Sequence, residues 1–176
     1  MQILSDREFF DGFTVCYGSD RGDFRFFVSA LIGCVSVLVF IVVGQPLALA
    51  TALLFLCSAY YHFPLVEKKV PRIGASQYGI FVDGFGIIDW RAVKDIEIRT
   101  YAVRSIENKE LIIELNRDVD AALISDWRKL PVHRLLMKLP WRLRDDRVLS
   151  VLLEPFAVDK DKLLETLQQM RTFYDN

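Results

Sequence analysis

Between Phe26 and Val66 the chain carries no Asp, Glu, Lys or Arg, an uncharged stretch of 41 residues in a protein of 176. Within it, FFVSALIGCVSVLVFIVV fills residues 26–43 and LALATALLFLCSAYYHF fills 47–63, parted by Gly44-Gln45-Pro46. A helix crosses a bilayer with about 20 predominantly apolar residues, and each run reaches that length with its flanks. Gly-Gln-Pro is a turn signal, and Pro46 suits the first turn of a following helix. The pattern predicts a transmembrane helical hairpin over 26–66 with its turn at 44–46.

Other uses of the stretch fit less well. A signal peptide begins with a basic segment, whereas residues 1–25 carry three basic and five acidic side chains. A buried soluble hairpin would demand a core larger than this chain can wrap. A single bent span leaves one run unexplained. Arg21 and Arg25 precede the first run, and Lys68, Lys69 and Arg72 follow the second. The positive-inside rule then places both termini in the cytoplasm, as for a multi-pass protein. Residues 1–25 become an N-terminal cytoplasmic segment. Tyr60, Tyr61 and His62 fall where interfacial side chains are expected. Ser29 with Gly33, Ala30 with Cys34, and Ala48 with Ala52 are small pairs at i,i+4 that let helices approach closely. They serve either packing within the hairpin or association with a second copy as a homo-oligomer.

Residues 67–176 have a different composition, with 19 basic and 18 acidic residues. This segregation explains how a chain with 26% charged residues still has a mean hydropathy of +0.25. The net charge of −1 argues against nucleic acid as a partner. Cys16, Cys34 and Cys57 are too scattered for a disulfide framework.

The period of the pattern also changes after Pro71. Gln77–Val82 reads as a short strand, Asp83-Gly84 as a turn, and Gly86–Trp90 as the next strand. A single helical turn follows over 91–95. Ile96, Ile98, Thr100 and Ala102 alternate with Glu97, Arg99 and Tyr101, and Leu111, Ile113 and Leu115 continue the pattern after a turn at Glu107–Lys109. Val148–Leu153 is nearly continuous in hydrophobicity and reads as a central strand. Asp159–Phe173 reads as an amphipathic helix capped by Asp159, with Leu163, Leu164, Leu167 and Met170 as its stripe. The expected class is α+β: a bent antiparallel sheet capped by a C-terminal helix, with Ile80, Ile88, Trp90, Val93 and Ile96 in its core.

Tyr78-Gly79-Ile80, then Gly86-Ile87-Ile88-Asp89-Trp90-Arg91-Ala92-Val93, then Val148–Leu153 followed by Asp159–Leu167, resemble in order the bacterial PH-like membrane proteins that carry two spans before the domain. The resemblance covers nearly the whole chain. It implies a PH-like cytoplasmic domain over 67–176 and carries over no catalytic residue. Asp89 stands where such proteins often have a proline.

Candidate chemistry is sparse. His62 and His133 lack partners at metal-ligand spacing, so no metal and no cofactor are expected. No phosphate-binding loop or nucleophile motif occurs. Asp145-Asp146, flanked by Arg144 and Arg147, reads as locally neutralised charge rather than an acid/base pair. The expectation is therefore a binding protein and not an enzyme.

The segment DWRKLPVHRLLMKLPWRLRDDR, residues 126–147, holds seven basic and three acidic residues. Trp127, Arg128, Lys129, Arg134, Lys138, Trp141, Arg142, Arg144 and Arg147 are its candidate membrane-surface contacts. Basic residues interleaved with Trp and Leu suit an anionic lipid surface. The same segment also suits a helical insert, placed at 120–147, that packs Leu130, Leu135, Leu136, Met137 and Leu139 on the sheet. The partners expected are the lipid bilayer, anionic lipid headgroups and a protein not identified by the sequence. Rival readings are a scaffold or an inhibitor or immunity-like protein that uses a sheet edge, and a subunit of a small membrane oligomer.

Overall fold

The computed structural model describes residues 12–18, 22–103, 106–129, 131, 134 and 136–174. Arg21, Leu130, His133 and Leu135 lie outside the described residues. The chain divides into two compact units. One comprises 18–68 with 131–138, and the other comprises 1–17, 69–130 and 139–176.

The first unit is built on two helices, α1 (Gly22–Val43) and α2 (Pro46–His62). The apolar stretches Asp23–Val43 and Pro46–Leu65 are long and apolar enough to span a membrane, with mean hydropathies of 2.9 and 1.4. Gly44 ends α1 with φ of 71° and donates its N–H to the Phe40 carbonyl at 2.8 Å. A side chain would be strained in that left-handed conformation, which explains the glycine. Pro46 then opens α2 where its missing N–H costs nothing. The helices meet through small residues. Ser29 and Ser58 hydroxyls hydrogen-bond at 3.2 Å, Ala52 and Ala59 are buried, and a Cβ on Gly33 would lie 2.9 Å from Leu56. Ser29, Gly33 and Ala52 are thus used inside the pair. The outer surface is apolar and exposed, with Leu31, Leu38, Ile41, Leu47 and Leu54 all uncovered. In water such a surface would be far larger than the patches that soluble monomers tolerate.

The second unit is α+β with two antiparallel sheets. In the five-stranded sheet the order is β1 (Phe13–Cys16), β2 (Pro71–Ser76), β3 (Gly79–Val82), β4 (Gly86–Ile88), β7 (Leu123–Asp126). In the four-stranded sheet the order is β5 (Val93–Val103), β6 (Ile106–Leu115), β9 (Val148–Leu152), β8 (Trp141–Asp145). A short α3 (Val119–Ala122) precedes β7, and α4 (Lys160–Tyr174) ends the described chain.

Alternation along the strands builds the core. Ala75, Ile80 and Ile88 are in register across the first sheet, and Ile96, Ile113 and Leu149 across the second. Ile80, Ile88, Trp90, Val93 and Ile96 are all buried, none more than 2% exposed. Gly86 has φ of 133°, and a Cβ there would come within 1.9 Å of the Ser125 carbonyl oxygen. Only glycine lets β4 and β7 approach in that way. On α4, Leu163 and Leu167 are buried while Leu164 and Met170 are half-buried. Asp159 accepts from the Asp161 amide at 3.2 Å and so caps the helix.

Three expectations need correction. The turn between the long strands is not at Glu107–Lys109, because β6 starts at Ile106 and pairs Glu107 with Ala102. The long hairpin satisfies more backbone groups than the shorter one would. The stretch 120–147 is not a helical insert. Its only described helix of a full turn ends at Ala122, and its flanks pair as β7 and β8. Pro131 and Pro140 interrupt any helix, and Trp-Arg-Leu-Arg-Asp at 141–145 alternates as an edge strand does. Finally, residues 13–16 are a strand of the sheet and not part of a separate N-terminal segment.

Candidate functional site

The candidate contacts divide between the two units. Trp127, Arg128, Lys129, Trp141, Arg142, Arg144 and Arg147 belong to the sheet unit, whereas Arg134 and Lys138 belong to the helical unit.

Three of the arginines are matched by carboxylates. Arg128 bonds Asp126 through Nε at 3.0 Å and also reaches Asp120. The Arg128 side-chain and backbone bonds hold the Asp126 carboxyl down at about 2. Arg128 lies over the Phe85 ring as well, 5.9 Å from its centroid. Arg147 donates through Nε to Asp118 at 2.8 Å. Arg144 reaches across the sheet to Glu110. Arg144 and Arg147 thus direct hydrogen bonds to Glu110 and Asp118, while the charges of Asp145 and Asp146 also act on Arg147. Lys129 and Arg142 are exposed.

The two tryptophans serve packing on one side and meet solvent on the other. Trp127, 39% exposed, meets Phe81 edge-on at 5.6 Å. Trp141 packs on Phe85 at 4.9 Å and donates its indole N–H to the Asp83 carbonyl at 3.1 Å. Trp90 is buried and donates to the Ser76 carbonyl at 2.8 Å, so it belongs to the core.

Glu110 was not legible as a site residue. It is buried on the second sheet and accepts from Tyr101 at 2.8 Å, from Ser150 at 2.7 Å, and from Arg144. Burial pushes this carboxyl up, but the bonds from Ser150, Tyr101 and Arg144, with the Arg144 charge, outweigh burial and hold it below its ordinary 4.5. The folded value lies below the unfolded one. The network's contribution is therefore present above pH 4.5 and lost as pH falls through the folded value. In a series of melting curves against pH, Glu110→Gln is expected to lower the midpoint at neutral pH and to flatten the decline in acid. A variant whose acid dependence matches the parent's would show that Glu110 is not responsible.

Asp118, Val119, Asp120, Arg128, Leu143 and Asp146 line a depression of about 250 Å³. Asp118 and Asp120 already accept from Arg147 and Arg128 there. No cluster of three or more His, Cys, Asp or Glu arranged to hold a metal occurs among the described residues.

In the helical unit, backbone hydrogen bonds link the described residues Pro131, Arg134 and Met137, and Lys138 bonds to α2. The Arg134 amide donates to Pro131 at 2.8 Å, the Met137 amide to Arg134 at 3.1 Å, and the Lys138 amide to the Tyr61 carbonyl at 2.9 Å. Leu136 is 65% exposed. Tyr60 and Tyr61 lie in the last turn of the apolar helix.

The chain matches no protein-family model, no curated protein and no solved structure.

Proposed function

We propose that this is a membrane-anchored binding module of a bacterial inner membrane, non-enzymatic, with a PH-like domain held on the cytoplasmic side. The domain offers a surface for lipid headgroups or a protein partner. One observation carries the membrane-surface part. The Lys138 amide is hydrogen-bonded to the Tyr61 carbonyl, in the last turn of an apolar helix. With α1 and α2 read as spans, this bond supports a position near the headgroups for Lys138 and, with it, for Arg134 and Leu136. An exposed leucine between two cations suits that level, with the leucine toward acyl chains and the cations toward phosphates.

Connectivity supports the topology. β1 precedes the hairpin, β2 follows it, and the two pair directly, Thr14 opposite Gly74. Two spans return the chain to the side it left, as this pairing requires. The PH-like reading is supported by antiparallel strands in two sheets followed by a C-terminal helix with a buried leucine stripe. As PH-like folds serve many unrelated uses, the choice of partner rests on the surface and not the fold.

A pair of fusions tests this reading. Green fluorescent protein after Asn176 is expected to fluoresce, and alkaline phosphatase inserted at Gln45 to be active. The reverse pattern, or release of the chain from membranes by alkaline carbonate, overturns it.

A further inference from the structure

β5 lies at the edge of its sheet, with β6 as its strand neighbour. In an antiparallel edge strand one residue points its N–H and C=O at the neighbour and the next points both outward. Ile96 points outward: its amide donates to Asp95 Oδ1 at 2.9 Å, and its carbonyl accepts from Gln168 Nε2 at 3.0 Å. Lys109 stands opposite Thr100 and turns its carbonyl the other way, to the Leu153 amide at 3.0 Å, so Thr100 points outward too. By the same alternation Ile98 and Ala102 face outward. Among the described residues, no hydrogen bond closes the outward N–H or C=O groups of Ile98, Thr100 and Ala102.

The helix α4 guards only the start of this edge. Gln168 and Arg171 reach Ile96 and Asp95 on β5, whereas Asp161 lies 3.8 Å from Lys109 on β6. Thr100 and Ala102 are left exposed. The opposite edge, β8, carries Arg142, Arg144 and Asp145 within five residues, the kind of charge that deters strand addition. The stretch Ile98–Ala102 carries only Arg99.

We propose that Ile98–Ala102 pairs antiparallel with the same stretch of a second copy of this chain, about a two-fold axis at Thr100. The register sets Thr100 opposite Thr100, and Ile98 opposite Ala102 of the second copy. All the open N–H and C=O groups of each chain are then bonded. Arg99 lies opposite Tyr101 of the second copy, a cation beside a ring whose hydroxyl Glu110 already holds. A two-fold at Arg99 would oppose two guanidiniums and call on Ile96, whose groups are taken. The open stretch is thus self-complementary in length and charge, as a two-fold interface requires, and this favours a second copy as the occupant. So short a pairing is weak by itself. Anchoring both copies in one membrane raises their effective concentration, and to that extent the inference rests on the reading of α1 and α2 as spans.

The test is Förster transfer in membranes of expressing cells, between full chains carrying cyan or yellow fluorescent protein after Asn176. Transfer is expected above that to an acceptor on an unrelated membrane protein, and its dependence on acceptor density gives an association constant. Thr100→Pro removes an outward amide that β6 does not use, and lowers that constant by roughly tenfold or more. Thr100→Lys and Thr100→Glu each oppose like charges at the axis and lower it by about fivefold. With the lysine chain as donor and the glutamate chain as acceptor, transfer returns. Lys162→Gln on α4 leaves it unchanged. Should the proline variant fail to accumulate, the lysine and glutamate chains decide alone. Transfer no greater than to the unrelated protein, undiminished transfer in the Thr100 variants, or no recovery in the mixture overturns the self-pairing. Carbonate extraction of the same membranes separates the two readings. A chain that is extracted fails as a spanning protein, whereas one that stays without specific transfer fails only here.

Discussion

Replacing Asp83 by Asn is expected to destabilise the sheet unit by about 3–5 kcal/mol, the usual cost of breaking a buried ion pair. Arg72 on β2 is only 1% exposed, and its guanidinium bonds the Asp83 carboxylate. Tyr17 lies under the guanidinium at 5.2 Å, and Phe156 packs against Tyr17 at 5.0 Å. Burial pushes the Tyr17 phenol well above its ordinary range, against the opposing pull of Arg72. The Arg72 charge thus has little water to fall back on. Removing the carboxylate leaves a desolvated cation inside the unit. Thermal unfolding of the full chain in mild detergent should show a fall in midpoint of roughly 10 °C or more. Arg72→Met with Asp83→Leu should recover most of the loss, because an apolar pair of similar volume replaces a buried ion pair at little cost. If Asp83→Asn melts with the parent, the pair contributes nothing to stability.

Trp90→Ala is expected to cost a similar amount, about 3–5 kcal/mol, through lost apolar burial and the cavity left behind. Trp90 is 2% exposed and sits in the turn that carries the chain from the first sheet to the second. Its indole stacks on Tyr174 of α4, with centroids 6.3 Å apart. The alanine variant should therefore loosen the last turn of α4 along with the sheets. Trp90→Phe separates the two contributions. It keeps most of the volume but leaves the Ser76 carbonyl without its donor, a cost of about 1–3 kcal/mol. Limited proteolysis reads the outcome: cleavage within residues 71–174 should rise sharply in the alanine variant and slightly in the phenylalanine one. Equal resistance in all three would mean that Trp90 fills no essential space.

Much of this architecture is written in local patterns. An uncharged run of 41 residues broken by Gly-Gln-Pro determines two apolar helices and their turn, because backbone in an apolar medium must bond to itself. Strict alternation from Ile96 to Ala102 determines a strand, and the leucine spacing of Leu163 and Leu167 behind Asp159 determines the last helix. Other strands left no such mark. β1 has four residues and no alternation long enough to read, and β2 contains proline, glycine and a buried arginine. They exist because each finds the other across a gap of two helices. The basic segment shows the same limit. Its composition predicts one charged surface, yet Arg144 and Arg147 are matched by Glu110 and Asp118, which lie 34 and 29 residues away in the chain. Composition counts charges, and only the tertiary structure decides which remain without a counter-charge. Strand pairing and charge pairing join residues distant in sequence, so they are settled by packing, whereas hydrophobic period and length act within one element and are legible from the residues alone.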